Sequence, residues 1–325
     1  MTQVVVSAPA RLHLGMLDPA GLGRRRFGGF GVAIESPRVV VAVRWAEDES
    51  RVNGVAASGP QADRAAAFAQ SVRAELGISG ALAVDVREAI PAHSGLGSGT
   101  KLGLAVARGI FELVGRPAGP ALLARASGRG ARSSVGAWTF EAPGLVVEAG
   151  VTGDGDVSPL LMRVPMPESW RCLLVRPAGG EGLSGNAEER FFGELQRSPP
   201  PEPPVARLLL TALLPGLQRG AIDEFGAALS EVQRQIGAIF ADRQGGVFHP
   251  SAAPVIEALG SLGVGAVGQS SWGPTVYGIV SDPERAADAA GRLRELIGTA
   301  ADVTVVDFDR RGAVCERAEA GASRA

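Results

Sequence analysis

The sequence predicts an α+β protein with two domains, 1–165 and 166–325. Short strand-like runs dominate the first half of the chain, whereas helical periodicity dominates the second half. The last part also shows the order strand–helix–strand–strand–helix–strand, which is typical of a ferredoxin-like, split βαβ layer. A chain of 325 residues is long enough to bury a core in each domain.

The first domain is predicted to alternate strands with helices. Prolines 9, 19 and 37 separate its early strand-like runs. A period of 3.6 residues predicts a helix over 63–76, and residues 137–141 and 145–149 have the pattern of a β-hairpin. The other predicted elements are strands at 4–7, 11–16, 31–34, 39–45 and 81–87 and helices at 102–113 and 121–127.

The second domain begins after the proline-punctuated stretch 159–167 and is mostly helical. Residues 198–204 contain five prolines and predict an exposed, rigid connector, because proline fixes φ and donates no N–H. The predicted elements are helices at 188–196, 205–214, 222–240, 252–262 and 284–297 and strands at 173–175, 265–267, 275–280 and 303–308.

A glycine-rich turn, residues 91–101, leads into the helix that starts near Leu102. Its glycines allow a tight turn and let a ligand approach the backbone closely. The first N–H groups of a helix have no internal partner and lie at the positive end of its dipole, so such a turn can bind phosphate. The predicted phosphate-binding residues are Ser94, Gly95, Leu96, Gly97, Ser98, Gly99, Thr100 and Lys101, the last as a point charge.

The plain alternative is that this turn only connects a strand to a helix. Its spacing matches neither the P-loop pattern nor the dinucleotide-binding pattern of glycines. Lys101, one residue beyond the turn, and the motifs elsewhere in the chain favour phosphate binding.

Charge and composition exclude several classes of partner. The formal net charge is −2, so no overall field attracts nucleic acid or an anionic membrane. No apolar run approaches the ~18 residues of a membrane span, and the start of the chain lacks the pattern of a signal peptide. Cys172 and Cys315 predict buried thiols of a cytoplasmic protein, and His13, His93 and His249 show no metal-ligand spacing.

Three motifs occur in the order of the GHMP superfamily, which includes galactokinase, homoserine kinase and mevalonate kinase. Residues 7–14, SAPARLHL, resemble its N-terminal motif; residues 91–98, PAHSGLGS, resemble its central motif; and residues 265–275 resemble its C-terminal glycine-rich loop. This resemblance implies an N-terminal ribosomal-S5-like α+β domain and a C-terminal ferredoxin-like domain.

The chain departs from the GHMP kinases at positions that serve phosphoryl transfer. Gly99 replaces the second serine of the central motif, which helps to hold Mg²⁺ and phosphate in the superfamily. Several of these kinases have an aspartate where residues 128–136 offer Ser133 or Ser134 and no carboxylate. A kinase can work by positioning and electrostatics alone, so these departures disfavour a kinase without excluding it.

The combination of motifs is similar to the β-ribofuranosylaminobenzene 5′-phosphate synthases of methanopterin biosynthesis. This resemblance implies that phosphoribosyl pyrophosphate condenses with 4-aminobenzoate or 4-hydroxybenzoate, releasing CO₂ and pyrophosphate and forming a C-riboside. It also implies Mg²⁺ as cofactor and a homodimer. The motifs that carry it are residues 11–18, 27–37, 97–101, 128–134 and 269–277.

Such a substrate needs a second anion site, a carboxylate and an aromatic wall. Asp18 is the first candidate to support a cationic ribose carbon or to hold the metal, followed by Glu148 and Glu35; a turn-forming role is the alternative for Asp18. His13 is a candidate proton carrier, although a plain strand histidine fits as well. The second anion site is assigned to Arg25, Arg26, Arg129, Arg132 and Ser133, and the aromatic site to Ser270, Ser271, Trp272, Phe27 and Phe30, with Trp138 in addition.

Two other functions remain open at this point. One is a small-molecule kinase that uses ATP and Mg²⁺, and the other is a non-catalytic homologue that binds a phosphate ligand. Arginine runs such as 24–26 are usually solvated surface, and aromatic residues are usually core, which are the plain alternatives to these assignments.

Overall fold

The computed structural model describes residues 2–46, 54–153, 157–183, 185–199 and 204–319. In this part of the chain eleven strands form one seven-stranded and one four-stranded sheet. The strands are β1 (Thr2–Asp18), β2 (Phe27–Trp45), β3 (Val55–Ser58), β4 (Leu82–Glu88), β5 (Leu145–Glu148), β6 (Leu160–Val164), β7 (Arg171–Pro177), β8 (Ala266–Gln269), β9 (Val276–Val280), β10 (Ala301–Asp307) and β11 (Val314–Glu319).

Most helices lie close to their predicted positions in both halves. A π-helical turn, Leu209–Leu213, joins α6 to α7, and a short 3₁₀ turn, Gly298–Ala300, follows α10. The helices are α1 (Ala62–Leu76), α2 (Ser98–Leu113), α3 (Pro120–Ala126), α4 (Val135–Glu141), α5 (Gly185–Arg197), α6 (Val205–Leu208), α7 (Leu214–Arg219), α8 (Ile222–Gln244), α9 (Ala253–Ser261) and α10 (Pro283–Ile297).

The smaller sheet confirms the predicted split βαβ layer. Its strand order is β10-β7-β9-β8, and all its neighbouring pairs are antiparallel. Helices α9 and α10 cover this sheet with a separate apolar core that includes Leu173, Leu259, Val276 and Leu293. The α+β fold class is therefore confirmed.

Helix α2 packs on the larger sheet and positions the glycine-rich turn. Leu102, Leu104, Val106 and Ile110 are fully buried, which accounts for the apolar stripe in the sequence. The helix contacts β1 and β2, the two central long strands of the sheet order β11-β1-β2-β4-β3. Its N-terminus therefore lies on a rigid support.

The early strands are longer than predicted, because Pro9 and Pro37 lie within β1 and β2, whereas Pro19 follows the end of β1 as predicted. The residue pairs Pro9–Arg38 and Ala10–Ile34 are consecutive between β1 and β2, so residues 35–37 bulge out of β2. Proline is tolerated at such a bulge, where no ladder hydrogen bond is required of it. The predicted pairs 4–7 with 11–16, and 31–34 with 39–45, are thus single strands.

The predicted hairpin is wrong in its first arm, since residues 137–141 belong to helix α4. Thr139 Oγ1 donates to the Val135 carbonyl one turn earlier, and the Ser134 N–H donates to the Glu148 carboxylate at 2.6 Å. These contacts stabilise a short helix where the residue alternation alone favours a strand. The second arm is strand β5, and strand β6 lies in the proline-punctuated stretch that follows.

The end of the chain returns to the larger sheet. Strand β11 pairs antiparallel with β1, from Thr2–Glu319 to Ser7–Val314. Residues after 165 therefore do not all belong to the smaller sheet, and the boundary at 165 remains a prediction. Residues 200–203 of the predicted connector lie outside the described residues. In the described chain no helix has the length and apolarity needed to cross a membrane.

Candidate functional site

A cavity of about 490 Å³ lies where the two halves of the chain meet. Its wall combines β1, the glycine-rich turn, the loop between α3 and α4, helices α1, α5 and α8, and the loop between β8 and β9. The two glycine-rich loops touch directly, since the Ser270 hydroxyl donates to the Gly95 carbonyl at 2.7 Å. A Cβ on Gly95 would collide with the Ser270 carbonyl, which explains why glycine is needed there.

The N-terminus of α2 opens into this cavity. Gly97 precedes the helix with a φ of 77°, and Gly97, Ser98, Gly99 and Thr100 all line the cavity. Leu96 is buried instead, and its carbonyl accepts a hydrogen bond from the Arg11 N–H. The first turn of α2 therefore presents backbone N–H groups to the cavity, as an anion site requires.

Two arginines cover Gly99 at the start of α2. A Cβ on Gly99 would come within 2.9 Å of Arg129 Nη2 and closer still to Arg64 Nη2. Arg129 lies over the Phe68 ring, and its Nε atom is buried without a hydrogen-bond partner among the described residues. A buried donor without a partner is costly, so this guanidinium is available for an anionic ligand.

A third arginine, Arg11, lies on the other side of the turn. Its Nη1 atom donates to the Gly95 carbonyl at 2.5 Å, and its side chain contacts Gly97. Burial lowers the pKa of Arg11 to about 10, against the attraction of Glu188 and Glu148, so the group stays charged at neutral pH. The cavity thus has a strongly cationic region.

His13 joins a buried hydrogen-bonded chain at the cavity wall. Its Nε2 atom lies 3.1 Å from the Ser133 hydroxyl, which donates to Glu148 Oε1 at 2.9 Å. Burial, with Arg11 nearby, lowers the pKa of His13 to about 3, so its ring is neutral. Burial raises the pKa of Glu148 to about 7, although bonds from Ser133 and Ser134 act in the opposite direction. His13 is therefore a neutral polar group here and not a cation.

Aromatic side chains form another region of the cavity. Trp272 stacks on Phe240 with ring centres 4.4 Å apart and an angle of 21° between planes. Phe192 packs edge-on against Phe240 at 6.1 Å, and all three residues line the cavity. Such a wall suits a flat apolar ring.

Glu188 connects the cationic region with the aromatic region. Its Oε1 atom accepts the Trp272 indole N–H at 3.0 Å, and its Oε2 atom lies 3.1 Å from Arg132 Nη2. Glu188 is the one aspartate or glutamate among the described residues that line the cavity.

Most of the predicted phosphate-binding residues lie together in the cavity, but Lys101 does not. The residue is 0% exposed and its Nζ atom donates to Thr139 Oγ1 at 3.0 Å, between α2 and α4. Burial lowers the pKa of Lys101 well below its usual value, with Arg11 acting in the same direction. The prediction that Lys101 supplies a point charge to the phosphate site is therefore corrected. The position of this residue on α2 directs its side chain into the core and away from the cavity. The predicted residues that do line the cavity are His13, Gly95, Gly97, Ser98, Gly99, Thr100, Arg129, Arg132, Ser133, Ser271 and Trp272.

The carboxylates predicted to hold metal lie outside the cavity. Asp18 accepts the N–H groups of Leu22 and Gly23 at 3.0 and 2.8 Å, which is the turn-forming role. Glu148 is fully buried behind Ser133, and Glu35 is exposed at the bulge of β2. Among the described residues no group of three or more His, Cys, Asp and Glu side chains could hold a metal ion.

The first arginine run also lies apart from the cavity. Arg25 Nη1 donates to the Gly150 carbonyl at 3.0 Å, and the Arg26 backbone pairs with Val151. The prediction that Arg25 and Arg26 bind phosphate is therefore corrected. The turn that contains them follows β1 and pairs with the residues after β5.

The remaining predicted aromatic and hydroxyl residues are structural. Phe27 packs edge-on behind Phe192 at 5.2 Å, so it supports the aromatic region from the core. Ser270 accepts the His13 N–H and fixes the two glycine-rich loops together, whereas the Ser94 hydroxyl donates to the Pro91 carbonyl. Phe30 is fully buried beneath Gly15. Trp138 donates to the Ser158 carbonyl.

Five functional candidates were missed by sequence reasoning. Four lie on amphipathic helices, where a charge usually indicates a solvated face and an aromatic residue the core: Arg64, Glu188, Phe192 and Phe240. Arg11 is part of the N-terminal motif, and its alternation with His13 on one face of β1 was a signal that could have indicated it.

The comparisons with known proteins agree with this architecture. Residues 63–139 match the GHMP kinases N terminal domain and residues 213–297 match the GHMP kinases C terminal domain. The solved homoserine kinase of Cytophaga hutchinsonii has a TM-score of 0.68 at 16% identity, with 97% of both chains covered. Mevalonate pyrophosphate decarboxylase of Streptococcus pyogenes has a TM-score of 0.65 at 12% identity, with 95% and 97% covered. These structures show a shared fold.

Curated relatives are similar over most of the chain. Beta-ribofuranosylphenol 5′-phosphate synthase of Methanothermobacter thermautotrophicus is 29% identical over 316 residues, which cover 91% of this chain and 94% of the relative. The Archaeoglobus fulgidus protein of that name is 30% identical over 293 residues, covering 83% and 86%. Both findings confirm the resemblance predicted from the motifs. Because the similarity extends over most of both chains, the chain belongs to the beta-ribofuranosylphenol 5′-phosphate synthase family.

Proposed function

We propose that this protein is a decarboxylating pentosyltransferase that joins phosphoribosyl pyrophosphate to a para-substituted benzoate. The ring carbon that bears the carboxylate bonds to the anomeric carbon of ribose as the bond to pyrophosphate breaks. Pyrophosphate leaves with the electron pair, CO₂ is lost from the ring, and the electrons of that bond restore aromaticity. The product is a C-riboside 5′-phosphate.

One observation carries this proposal: a single cavity combines an arginine-rich helix N-terminus with an aromatic wall. Arg64 and Arg129 over Gly99, with Arg11 beside Gly97, supply charge for the diphosphate. The stacked pair Trp272 and Phe240 supplies the wall for the benzoate ring. A condensation between a polyanionic sugar and an aromatic acid needs both regions next to each other.

The arginines also suit the departure of pyrophosphate. Donors that are fixed in place before reaction stabilise the charge that develops on the leaving group. Ser98 and the first N–H groups of α2 add neutral donors to the same region. The apolar wall favours decarboxylation, because a carboxylate that leaves water for an apolar surface loses stabilisation.

The acceptor is 4-hydroxybenzoate or 4-aminobenzoate. The relatives are named for a phenol product, which favours the hydroxyl acceptor. Both para groups donate electrons to the ring as it attacks, and the cationic ring that results takes up the electrons of the C–CO₂ bond, so neither acceptor requires an electron-sink cofactor. The two acceptors differ in one polar contact, and a direct comparison of kcat/KM decides between them.

Magnesium is the proposed cofactor, and we propose that it binds through the phosphates of the substrate more than through side chains of the protein. The described side chains that line the cavity are mainly arginines, hydroxyls and one carboxylate that is already bonded to Arg132 and Trp272. This donor set does not fit a Mg²⁺ ion held by protein ligands alone. Mg²⁺ commonly binds through substrate phosphates, so it would enter with the pyrophosphate.

The experiment supplies purified protein with phosphoribosyl pyrophosphate, Mg²⁺ and carboxyl-labelled 4-hydroxybenzoate or 4-aminobenzoate. We expect labelled CO₂ and pyrophosphate in equal amounts. Arg129→Met should lower kcat/KM by about 10- to 100-fold, the effect of one charge-assisted contact, whereas the exposed Arg125→Met should not change it. ATP turnover with a hydroxyl substrate and no CO₂ would establish a kinase instead, and binding without turnover a non-catalytic homologue.

Two further parts of the proposal concern assembly and location. We propose a homodimer, which light scattering of the purified protein tests directly. We also propose a cytoplasmic location, supported by free thiols at Cys172 and Cys315, because cytoplasmic thiols stay reduced.

A further inference from the structure

Glu188 lies between the two groups of residues that would bind the two substrates of the proposed reaction. One oxygen of its carboxylate binds Arg132, a residue of the loop before α4, and the other binds the Trp272 indole N–H. Arg132 and Trp272 belong to different halves of the chain, and both line the cavity. The carboxylate therefore lies between the cationic region and the aromatic wall.

The reacting carbon must occupy the same place. The anomeric carbon of the sugar is bonded to the diphosphate and is attacked by the aromatic ring, so it lies between the groups that bind these two parts. When its bond to pyrophosphate breaks, positive charge develops on that carbon and on the ring oxygen, as in glycoside hydrolysis. A carboxylate close to this charge stabilises it.

We propose that Glu188 acts in two successive states. In the free protein its carboxylate pairs with Arg132; when the diphosphate of the sugar binds, Arg132 pairs with phosphate, and Glu188, still oriented by Trp272, faces the cationic ribose carbon. This inference rests on the proposed function and assigns to Glu188 the role that sequence reasoning gave to Asp18. No bond to Glu188 forms, and no proton is transferred to it.

Three properties of the surroundings favour this exchange of partners. The Arg132 and Glu188 side chains are 37% and 20% exposed, so the pair is accessible to an incoming ligand. Arg64 and Arg129 lie at the neighbouring helix start and have the same charge as Arg132, so an anion there attracts all three guanidinium groups. The Trp272 ring is fixed by its stack on Phe240, which keeps its N–H directed at the carboxylate.

The test is Glu188→Gln, measured in two separate assays. Inorganic pyrophosphate, with calorimetric detection, should bind the variant about 3- to 10-fold more tightly than wild type, because a competing negative charge is removed. Turnover of phosphoribosyl pyrophosphate and the benzoate should fall by about 100-fold in kcat. Glu189→Gln makes the same charge change at the next, exposed position of α5 and should alter neither value.

Opposite changes in affinity and kcat distinguish this role from a structural one. A destabilised variant would lose pyrophosphate binding as well as turnover, so unchanged or weaker binding by Glu188→Gln overturns the proposal, as does a kcat within about threefold of wild type. Glu188→Asp keeps the charge and should retain more kcat than Glu188→Gln; equal losses count against the proposal. If wild type shows no turnover, the proposed function fails, and the pyrophosphate assay still tests the Arg132 pairing.

Discussion

Replacing Gly99 by alanine tests whether the two guanidinium groups at the start of α2 bind the diphosphate. The new Cβ would lie 2.9 Å from Arg129 Nη2 and closer to Arg64 Nη2, so both side-chain ends must move away. The cost to folding is small, because long arginine side chains reorient easily. Alanine is also the better helix former by up to about 1 kcal/mol. We expect a free energy of unfolding equal to or slightly above that of wild type.

The effect on substrate binding should be much larger. A hydrogen bond to a charged group contributes about 1.5–3 kcal/mol, and each 1.4 kcal/mol is tenfold in affinity. Displacing one of the two guanidinium groups should therefore raise the KM for phosphoribosyl pyrophosphate by about 10- to 100-fold, with little change in the KM of the benzoate.

The matched control is Gly291→Ala in helix α10, where an added Cβ meets nothing within 4 Å. Steady-state kinetics and urea unfolding of both variants give the comparison. The control should gain stability and keep its kinetics. A Gly99→Ala protein with wild-type KM for the pyrophosphate sugar would refute the assignment of Arg64 and Arg129 to the anion site.

Three further predictions concern charged groups outside the cavity. Burial raises the pKa of Glu148 from 4.5 to about 7, so its contribution to the free energy of unfolding should fall by up to about 3 kcal/mol as the pH rises from 4.5 to 7. The lowered pKa of His13 acts in the opposite direction over part of this range, so the contribution of Glu148 is the difference between wild type and Glu148→Gln in urea unfolding at several pH values, and a difference that does not change with pH would contradict it. Lys101→Met should raise the free energy of unfolding at pH 7, because the amine is charged in the unfolded chain and burial in the folded protein disfavours that charge. The KM for the pyrophosphate sugar should stay within about threefold of wild type, and a large rise would show that Lys101 belongs to the site. Asp18→Asn should lower the melting temperature with kcat within about threefold of wild type, and a selective loss of kcat would contradict its turn-forming role.

The sequence predicted the fold and the glycine-rich turn of the candidate site well, because both depend on local patterns. Alternation and helical periodicity identify β4 and α2, and glycines that permit a tight turn identify the loop between them. The order of motifs identified residues 265–275 as a second glycine-rich loop, and the structure brings the two loops into contact through Ser270 and Gly95.

The sequence was less informative about individual side chains. Lys101 and Gly99 are two residues apart on α2, yet one points into the core and the other carries no side chain so that arginines can approach. Arg64 comes from a helix more than thirty residues earlier in the chain, and no local pattern distinguishes it from a solvated arginine. The candidate role of Glu188 depends on its contacts with Arg132 and Trp272, which only tertiary packing brings close to it.

The pairing of β11 with β1 has a consequence for how the molecule forms. During synthesis β1 is made long before β11, and the edge of β1 that β11 covers stays open until then. An open edge of a long apolar strand can pair with another molecule. A fragment that stops before β11 should therefore self-associate even if its residues are otherwise native, and a separately supplied peptide of residues 314–319 would compete with that association.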